Sequence, residues 1–175
     1  MRKCKVCNQP FEPTYSSLQR TCTTSSCIVI YASTKKKKVE LAEIKERKER
    51  LKPLSQWKKE LQQVFNEFIR LRDRGKPCIS CGRPLQGKYD AGHFFSVGSY
   101  PNLRYHEFNV HGQCTRCNQH LHGNLIEYAH NLPTRIGTSQ FNELYNLRNI
   151  ELRMTLPEIK EQIVHYKNLV KSLKL

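Results

Sequence analysis

The sequence predicts an α+β fold in which a small zinc-stapled core carries long flanking helices and follows an N-terminal zinc-ribbon-like module. Three observations predict it. Eight cysteines among 175 residues fall into two sets, Cys4, Cys7, Cys22, Cys27 and Cys78, Cys81, Cys114, Cys117, and four thiolates are what a closed tetrahedral zinc site needs. Apolar residues recur at helical spacing on both sides of the second set. Residues 76–112, which include the first pair of that set, are rich in Gly, aromatic and turn-forming residues, the composition of short strands joined by loops.

Lys plus Arg is 30 against 15 Asp plus Glu, a formal net charge of +15, and 38% of residues are apolar. Such an excess of positive charge points to a polyanion, most simply nucleic acid. The low apolar fraction argues against one large core. No run of about 18 apolar residues exists, so no membrane span is expected. No apolar segment follows Met1-Arg2-Lys3-Cys4, so no secretory signal is expected either. Thiols kept reduced in a cytosol serve metal binding rather than disulfides.

Residues 1–34 form the N-terminal module. Cys4-x2-Cys7 and Cys22-x4-Cys27 would hold the first zinc, with Arg2, Lys3, Lys5 and Arg20 around it. Basic residues beside a zinc knuckle suit a DNA-contacting module and a structural cap equally well. Residues 35–75 are a basic helical linker and an amphipathic helix. The run Lys35–Lys52 opens with Lys35, Lys36, Lys37 and Lys38 and contains nine basic and four acidic residues. Glu43 and Arg47, like Glu46 and Arg50, are spaced i,i+4, which supports an exposed helix. Lys35 to Lys38, Lys45, Arg47 and Lys48 are candidate phosphate contacts, although so regular an admixture of acids also suits a merely solvated face. Pro53 ends this helix. Ser55 then caps a second one reaching Gly75, whose stripe of Leu54, Trp57, Leu61, Val64, Phe65, Phe68 and Leu71 faces a core.

Residues 76–131 contain the second zinc set. Cys78-Ile79-Ser80-Cys81-Gly82 is a knuckle in which Gly82 allows a tight turn. Cys114-Thr115-Arg116-Cys117 supplies the other pair, with thirty-two residues separating the two. Six of the seven histidines fall between residues 93 and 130. His93 lies in Asp90-Ala91-Gly92-His93-Phe94-Phe95, a strand or strand end, and Asn109 precedes the second cysteine pair. Asn109 to about His122 could open a helix, and if it begins near Cys114, Asn118 and His122 share one face, where two ligands can hold a divalent ion. His106, His130 and His165 read as surface or packing residues. Residues 132–175 are a helical extension: one helix from Thr138 to about Asn149, and another opened by the capping box Thr155-Leu156-Pro157-Glu158 and lined by Ile159, Ile163, Tyr166, Leu169 and Val170.

His93, Asn109 and the Asn118/His122 pair, framed by two CxxC knuckles, resemble the HNH nuclease motif in its zinc-stapled form. The arrangement is similar to that of phage endonuclease VII, in which an Asn likewise follows the last cysteine. The order of an N-terminal cysteine cluster, a basic helical stretch and Ala91-Gly92-His93-Phe94 makes nearly the whole chain resemble the NinG (Rap) recombination endonucleases of lambdoid phages. The resemblance implies a ββα-metal core, two strands and a helix around one catalytic divalent ion. It implies His93 as general base, Asn109 as the residue that holds the loop and ring of His93, and Asn118 and His122 as ligands of Mg²⁺ or Mn²⁺. Many such sites place an acidic residue or His immediately before the base, where this chain has Gly92. Asp90 is the nearest carboxylate and becomes a candidate ligand if a bulge at Gly92 turns it round; Glu107, His111 and His120 are substitutes. Branched DNA (Holliday junctions, D-loops) would be the substrate, with Arg116 among the DNA contacts. The implied setting is the bacterial host cytoplasm, with phage or host recombination proteins as partners and a two-fold homodimer if cuts are symmetric. The alternative is a non-catalytic zinc-finger adaptor that binds DNA or a recombination partner.

Overall fold

In a computed structural model that describes residues 1–151 and 153–175, the chain forms two units, Met1–Lys52 and Pro53–Leu175. In the first, β1 (Arg2–Lys3) pairs antiparallel with β2 (Pro10–Phe11). The connecting turn carries Cys4 and Cys7 and passes through Asn8 at φ 59°, a left-handed conformation that Asn tolerates. Helix α1 (Ser25–Arg50) begins inside the cysteine module and buries only Cys27. The basic stretch is therefore not a separate segment starting at Lys35. Residues 25–34 contain no Gly or Pro to interrupt a helix, so one helix runs through both. Its Ile28, Val39 and Leu41 are exposed, and it ends in Arg47, Lys48 and Arg50, cations that suit the negative end of a helix dipole.

The second unit is built around α2 (Leu54–Arg72), which starts directly after Pro53 rather than from a Ser55 cap. Its Trp57, Leu61, Phe65 and Phe68 pack with Ile159, Ile163, Tyr166 and Val170 of α5 (Leu156–Ser172). The capping box at the start of α5 is formed, Glu158 accepting from the Thr155 N–H at 2.7 Å and from its hydroxyl at 2.8 Å. Strands β3 (Tyr89–His93) and β4 (Val110–Cys114) make an antiparallel pair in unbroken register, from Tyr89 opposite Cys114 to His93 opposite Val110. Alternate residues of a strand face opposite sides. Ala91 and Val110 join the α2–α5 core. On the other side lies a second core of Ile79, Phe94, Leu103, Tyr128, Leu132 and Leu144, built with α3 (Leu125–Ile136) and α4 (Thr138–Leu147). The hairpin is thus wedged between two helical layers.

Two sequence-based expectations change here. No helix opens at Asn109: residues 110–114 are strand, and only after them comes a short π-helix, Arg116–His120. The reason is tertiary, since the backbone of this segment is engaged by β3 and its residues Val110 to Gln113 are buried from both sides. No bulge occurs at Gly92. Helix α2 is tied to β4 by a buried carboxylate. Asp73 accepts from Arg72 at 3.0 and 2.9 Å, from Lys76 at 3.1 Å and from the Gly112 N–H at 2.8 Å. Arg72 also donates to the Glu107 and Val110 carbonyls at 2.9 and 2.8 Å. No helix among the described residues is long and apolar enough to cross a membrane.

Candidate metal centres and the hairpin site

Each four-cysteine set converges. Within each, the Sγ atoms all lie within 4.8 Å of one another. Cys7 and Cys22 are 3.9 Å apart, and Cys81 and Cys114 are 3.8 Å apart. Thiolates at 2.3 Å from a tetrahedral zinc sit about 3.8 Å from each other, so both sets fit that ion. The two sites share one plan: a knuckle on a turn supplies the first pair, and the start of a helix supplies the last ligand, Cys27 in α1 and Cys117 in the π-helix. At the second site Gly82 turns the knuckle at φ 70°, and Cys78 Sγ accepts from the Cys114 N–H at 3.4 Å. The thiols pull in opposite directions. The Cys7 backbone N–H leads in drawing Cys4 down to about 6, whereas burial, with the neighbouring sulfurs, pushes Cys27 and Cys117 up to about 12. Four adjacent sulfurs ionise together only with a cation among them, the charge a bound dication supplies.

His93 closes β3 on the face that meets α2. Its Nε2 lies 2.9 Å from the Arg104 carbonyl. A carbonyl only accepts, so Nε2 holds the ring proton and Nδ1 is the unprotonated nitrogen, an assignment that follows from the partner. Burial lowers the pKa of His93, against the Arg104 carbonyl contact that raises it, and the ring is neutral at pH 7. Asn109 is completely buried. Its Oδ1 accepts from the Phe95 N–H at 2.8 Å, and its Nδ2 donates to the Phe95 and Leu103 carbonyls at 3.1 and 3.0 Å. It therefore clamps both ends of the loop that leaves His93 and returns to the carbonyl His93 uses.

Asp90 and Asn118 meet on the other face of the hairpin. Asp90 Oδ2 accepts from Asn118 Nδ2 at 3.1 Å and from Gln119 Nε2 at 2.9 Å. The carboxylate reaches Asn118 from a regular strand, without the expected bulge. His122 does not share a helical face with Asn118, because it lies beyond the π-helix, exposed, in a left-handed turn at φ 48°. No hydrogen bond joins His93 to Asp90, Asn118 or His122 among the described residues. Of the substitutes, His111 is buried, its Nδ1 3.2 Å from the Tyr128 hydroxyl, and Glu107 receives the Tyr166 hydroxyl at 3.4 Å. His120 is exposed at the end of the π-helix, and Arg116 is exposed at its start. Lys35 to Lys38, Lys45, Arg47 and Lys48 are all exposed along α1.

Two buried side chains that support the hairpin carry no signal in the sequence. Gln113 donates to Ser80 Oγ at 2.6 Å and to the Gly123 carbonyl, which fastens the knuckle to the turn after the π-helix. The Tyr128 hydroxyl donates to the Gly92 carbonyl at 3.0 Å. A buried Gln or Tyr leaves no periodic mark in a sequence. A cleft of about 1260 Å³ opens between α2, residues 99–108 and α5, and neither His93, Asp90 nor Asn118 lines it.

A family model described as Bacteriophage Lambda NinG protein matches residues 1–175. Protein ninG of Escherichia phage 933W is 37% identical over 190 residues, covering 99% of this chain and 94% of its own. Protein ninG of Enterobacteria phage H19B is 39% identical over 176 residues, covering 91% and 87%. Protein ninG of Escherichia phage lambda is 44% identical over 131 residues, covering 75% and 64%. No solved structure matches the chain.

Proposed function

The chain belongs to the bacteriophage lambda NinG family, and from that premise we propose that it is a metal-dependent, structure-selective DNA endonuclease that hydrolyses phosphodiesters in branched recombination intermediates. The observation that carries this reading is the Asn109 clamp, a buried amide holding both ends of the loop that leaves the His93 ring. His93, neutral and with Nδ1 unprotonated, takes a proton from the attacking water at that nitrogen. Asp90 and Asn118 would hold Mg²⁺ or Mn²⁺. Turning the Asn118 amide over exchanges its nitrogen and oxygen and sets two oxygen donors side by side, and Mg²⁺ commonly binds through one or two carboxylates while keeping several waters. A divalent ion held there would neutralise the scissile phosphate and stabilise the departing 3′ oxygen. The two zinc ions would staple the fold and take no part in the chemistry.

A second reading, a zinc-stabilised DNA-binding adaptor in recombination, draws on one observation: His93 and Asp90 lie on opposite faces of β3 with no hydrogen bond between them. Labelled four-way junctions, D-loops and linear duplex, incubated with the full chain and Mg²⁺ or Mn²⁺, separate the two. The nuclease reading expects cleavage of the branched forms and a loss of about 10²-fold or more in His93→Ala. No cleavage by the unaltered chain, or cleavage undiminished in His93→Ala, dismisses it. Junction binding indifferent to Mg²⁺ and to His93→Ala is what the adaptor reading expects.

A further inference from the structure

We propose that the face of α2 turned away from the α2–α5 core, together with Arg104, is a groove for the phosphodiester backbone of duplex DNA, leading to His93. The groove has a volume of about 310 Å³ and is lined by Lys58, Lys59 and Arg104 and by the amides of Gln62, Gln63 and Asn66. It holds three cations and no carboxylate.

That composition reflects a sorting of charge across one helix. The carboxylates Glu60 and Glu67 point to α5, pairing with Lys167 at 2.7 Å and Lys174 at 2.6 Å. On the groove side, Ser55, Lys59, Gln62 and Asn66 follow one another at i, i+4, i+7 and i+11, a single helical row. Lys58 and Lys59 are exposed and enter no ion pair among the described residues. A row of cations and amide donors without a competing anion suits phosphate oxygens, which accept from both.

Arg104 connects the row to the hairpin. Its Nε donates to Gln62 Oε1 at 2.6 Å, and Gln62 Nε2 in turn donates to Asn66 Oδ1 at 2.6 Å. The guanidinium lies over the Tyr105 ring, 5.4 Å from its centroid, which holds it in place without neutralising it. The same residue's carbonyl receives the His93 ring. A strand held along α2 is thereby brought to the residue that orients the proposed base. The donors recognise backbone rather than base edges, so the groove selects no sequence, as expected of an enzyme that reads branch shape. The proposal rests on the nuclease reading for what the strand is delivered to, and on the groove alone for what is bound.

The test measures equilibrium binding of the full, zinc-loaded chain to a labelled four-way junction, a linear DNA duplex and an RNA duplex, across a KCl series without added divalent ion. Lys58→Ala and Lys59→Ala should each weaken DNA binding about 3- to 10-fold at fixed salt and reduce the slope of log K against log [KCl] by about 1. Lys59→Arg, which retains the charge, should bind as the unaltered chain does. Lys171→Ala, an exposed change on α5, sets the effect of losing any one charge. If Lys58→Ala and Lys59→Ala match Lys171→Ala in affinity and slope, the groove is overturned. Tighter, lysine-dependent binding of the RNA duplex overturns its assignment to DNA. A chain that cuts nothing yet binds through Lys58 and Lys59 sinks the nuclease reading and leaves the groove standing; a chain that cuts while both variants bind normally does the reverse.

Discussion

On the proposed nuclease reading Gly92 stands immediately before the base, where many HNH sites carry an acidic residue or His, and packing explains the glycine. A Cβ at residue 92 would fall 2.0 Å from Gln113 Oε1, and Gln113 is wholly buried on its two hydrogen bonds. Gly92→Ala should therefore destabilise the protein by about 1–3 kcal/mol in urea unfolding. The double variant Gly92→Ala/Gln113→Ala should lose less than the sum of the two single changes, because both act on one space. An acidic side chain at 92 is sterically barred, and Asp90, two residues earlier on the same face, is the carboxylate left to that side of the hairpin. If Asp90 holds the divalent ion, Asp90→Asn should raise the Mg²⁺ concentration required for cleavage while leaving DNA binding without Mg²⁺ intact. The His93 pKa is lowered by burial from its ordinary value of 6.5. A base works deprotonated, so single-turnover cleavage should fall only below that value and be flat from about pH 7 upward; a continued rise through pH 8 would point to another base.

At the scale of elements, the hairpin is held where α2 ends. Burial pushes the Asp73 carboxyl up, but hydrogen bonds and charge from Arg72, with the Gly112 N–H, hold it well below the usual carboxylate range. Removing one partner of a buried pair leaves the other uncompensated, so Asp73→Ala should cost about 3–5 kcal/mol in chemical denaturation and loosen β4 against α2. The sign is that of a depressed acid: this stabilisation is present above the unfolded value of about 3.8 and is lost as pH falls below it. The Glu60–Lys167 and Glu67–Lys174 pairs lie at the surface, and screening leaves such pairs worth about 0–1 kcal/mol each. The α2–α5 contact rests instead on its buried aromatic and aliphatic side chains.

At the scale of the molecule, the two candidate zinc sites and one buried histidine determine how stability should respond to metal removal and to acid. Elemental analysis should find two zinc ions per chain, and Cys→Ser changes in either set should remove one. One zinc or none in the unaltered chain would break the assignment for the set that stays empty. Burial pushes the His111 pKa down to about 3 from 6.5. Its contribution is complete above pH 6.5 and is lost as pH falls toward 3, at about 1.4 kcal/mol per pH unit where the unfolded ring is charged and the folded one is not. Burial also lowers the pKa values of His93 and His106, and these act in the same direction. Acid also releases zinc from thiolates. The comparison that isolates His111 is therefore His111→Gln, whose stability should decline less steeply between pH 6.5 and 4.

What depends on near neighbours is legible along the chain: the two cysteine sets through their short CxxC and Cx4C spacings, the buried stripes of α2 and α5 through their 3.6-residue period, and the Thr155–Glu158 box through adjacent capping groups. The sequence also singles out His93, Asn109, Asp90 and Asn118 by type and order. That 110–114 is strand rather than the start of a helix follows from long-range packing, since it depends on pairing with residues some twenty positions earlier. Packing likewise brings Asp90 to Asn118 without a bulge, leaves His122 outside the helix of Asn118, and sets Gln113 where it excludes a side chain at 92. Each of these depends on which way a side chain faces, and that direction follows from strand register and from contacts between segments distant in the chain, neither of which local spacing encodes.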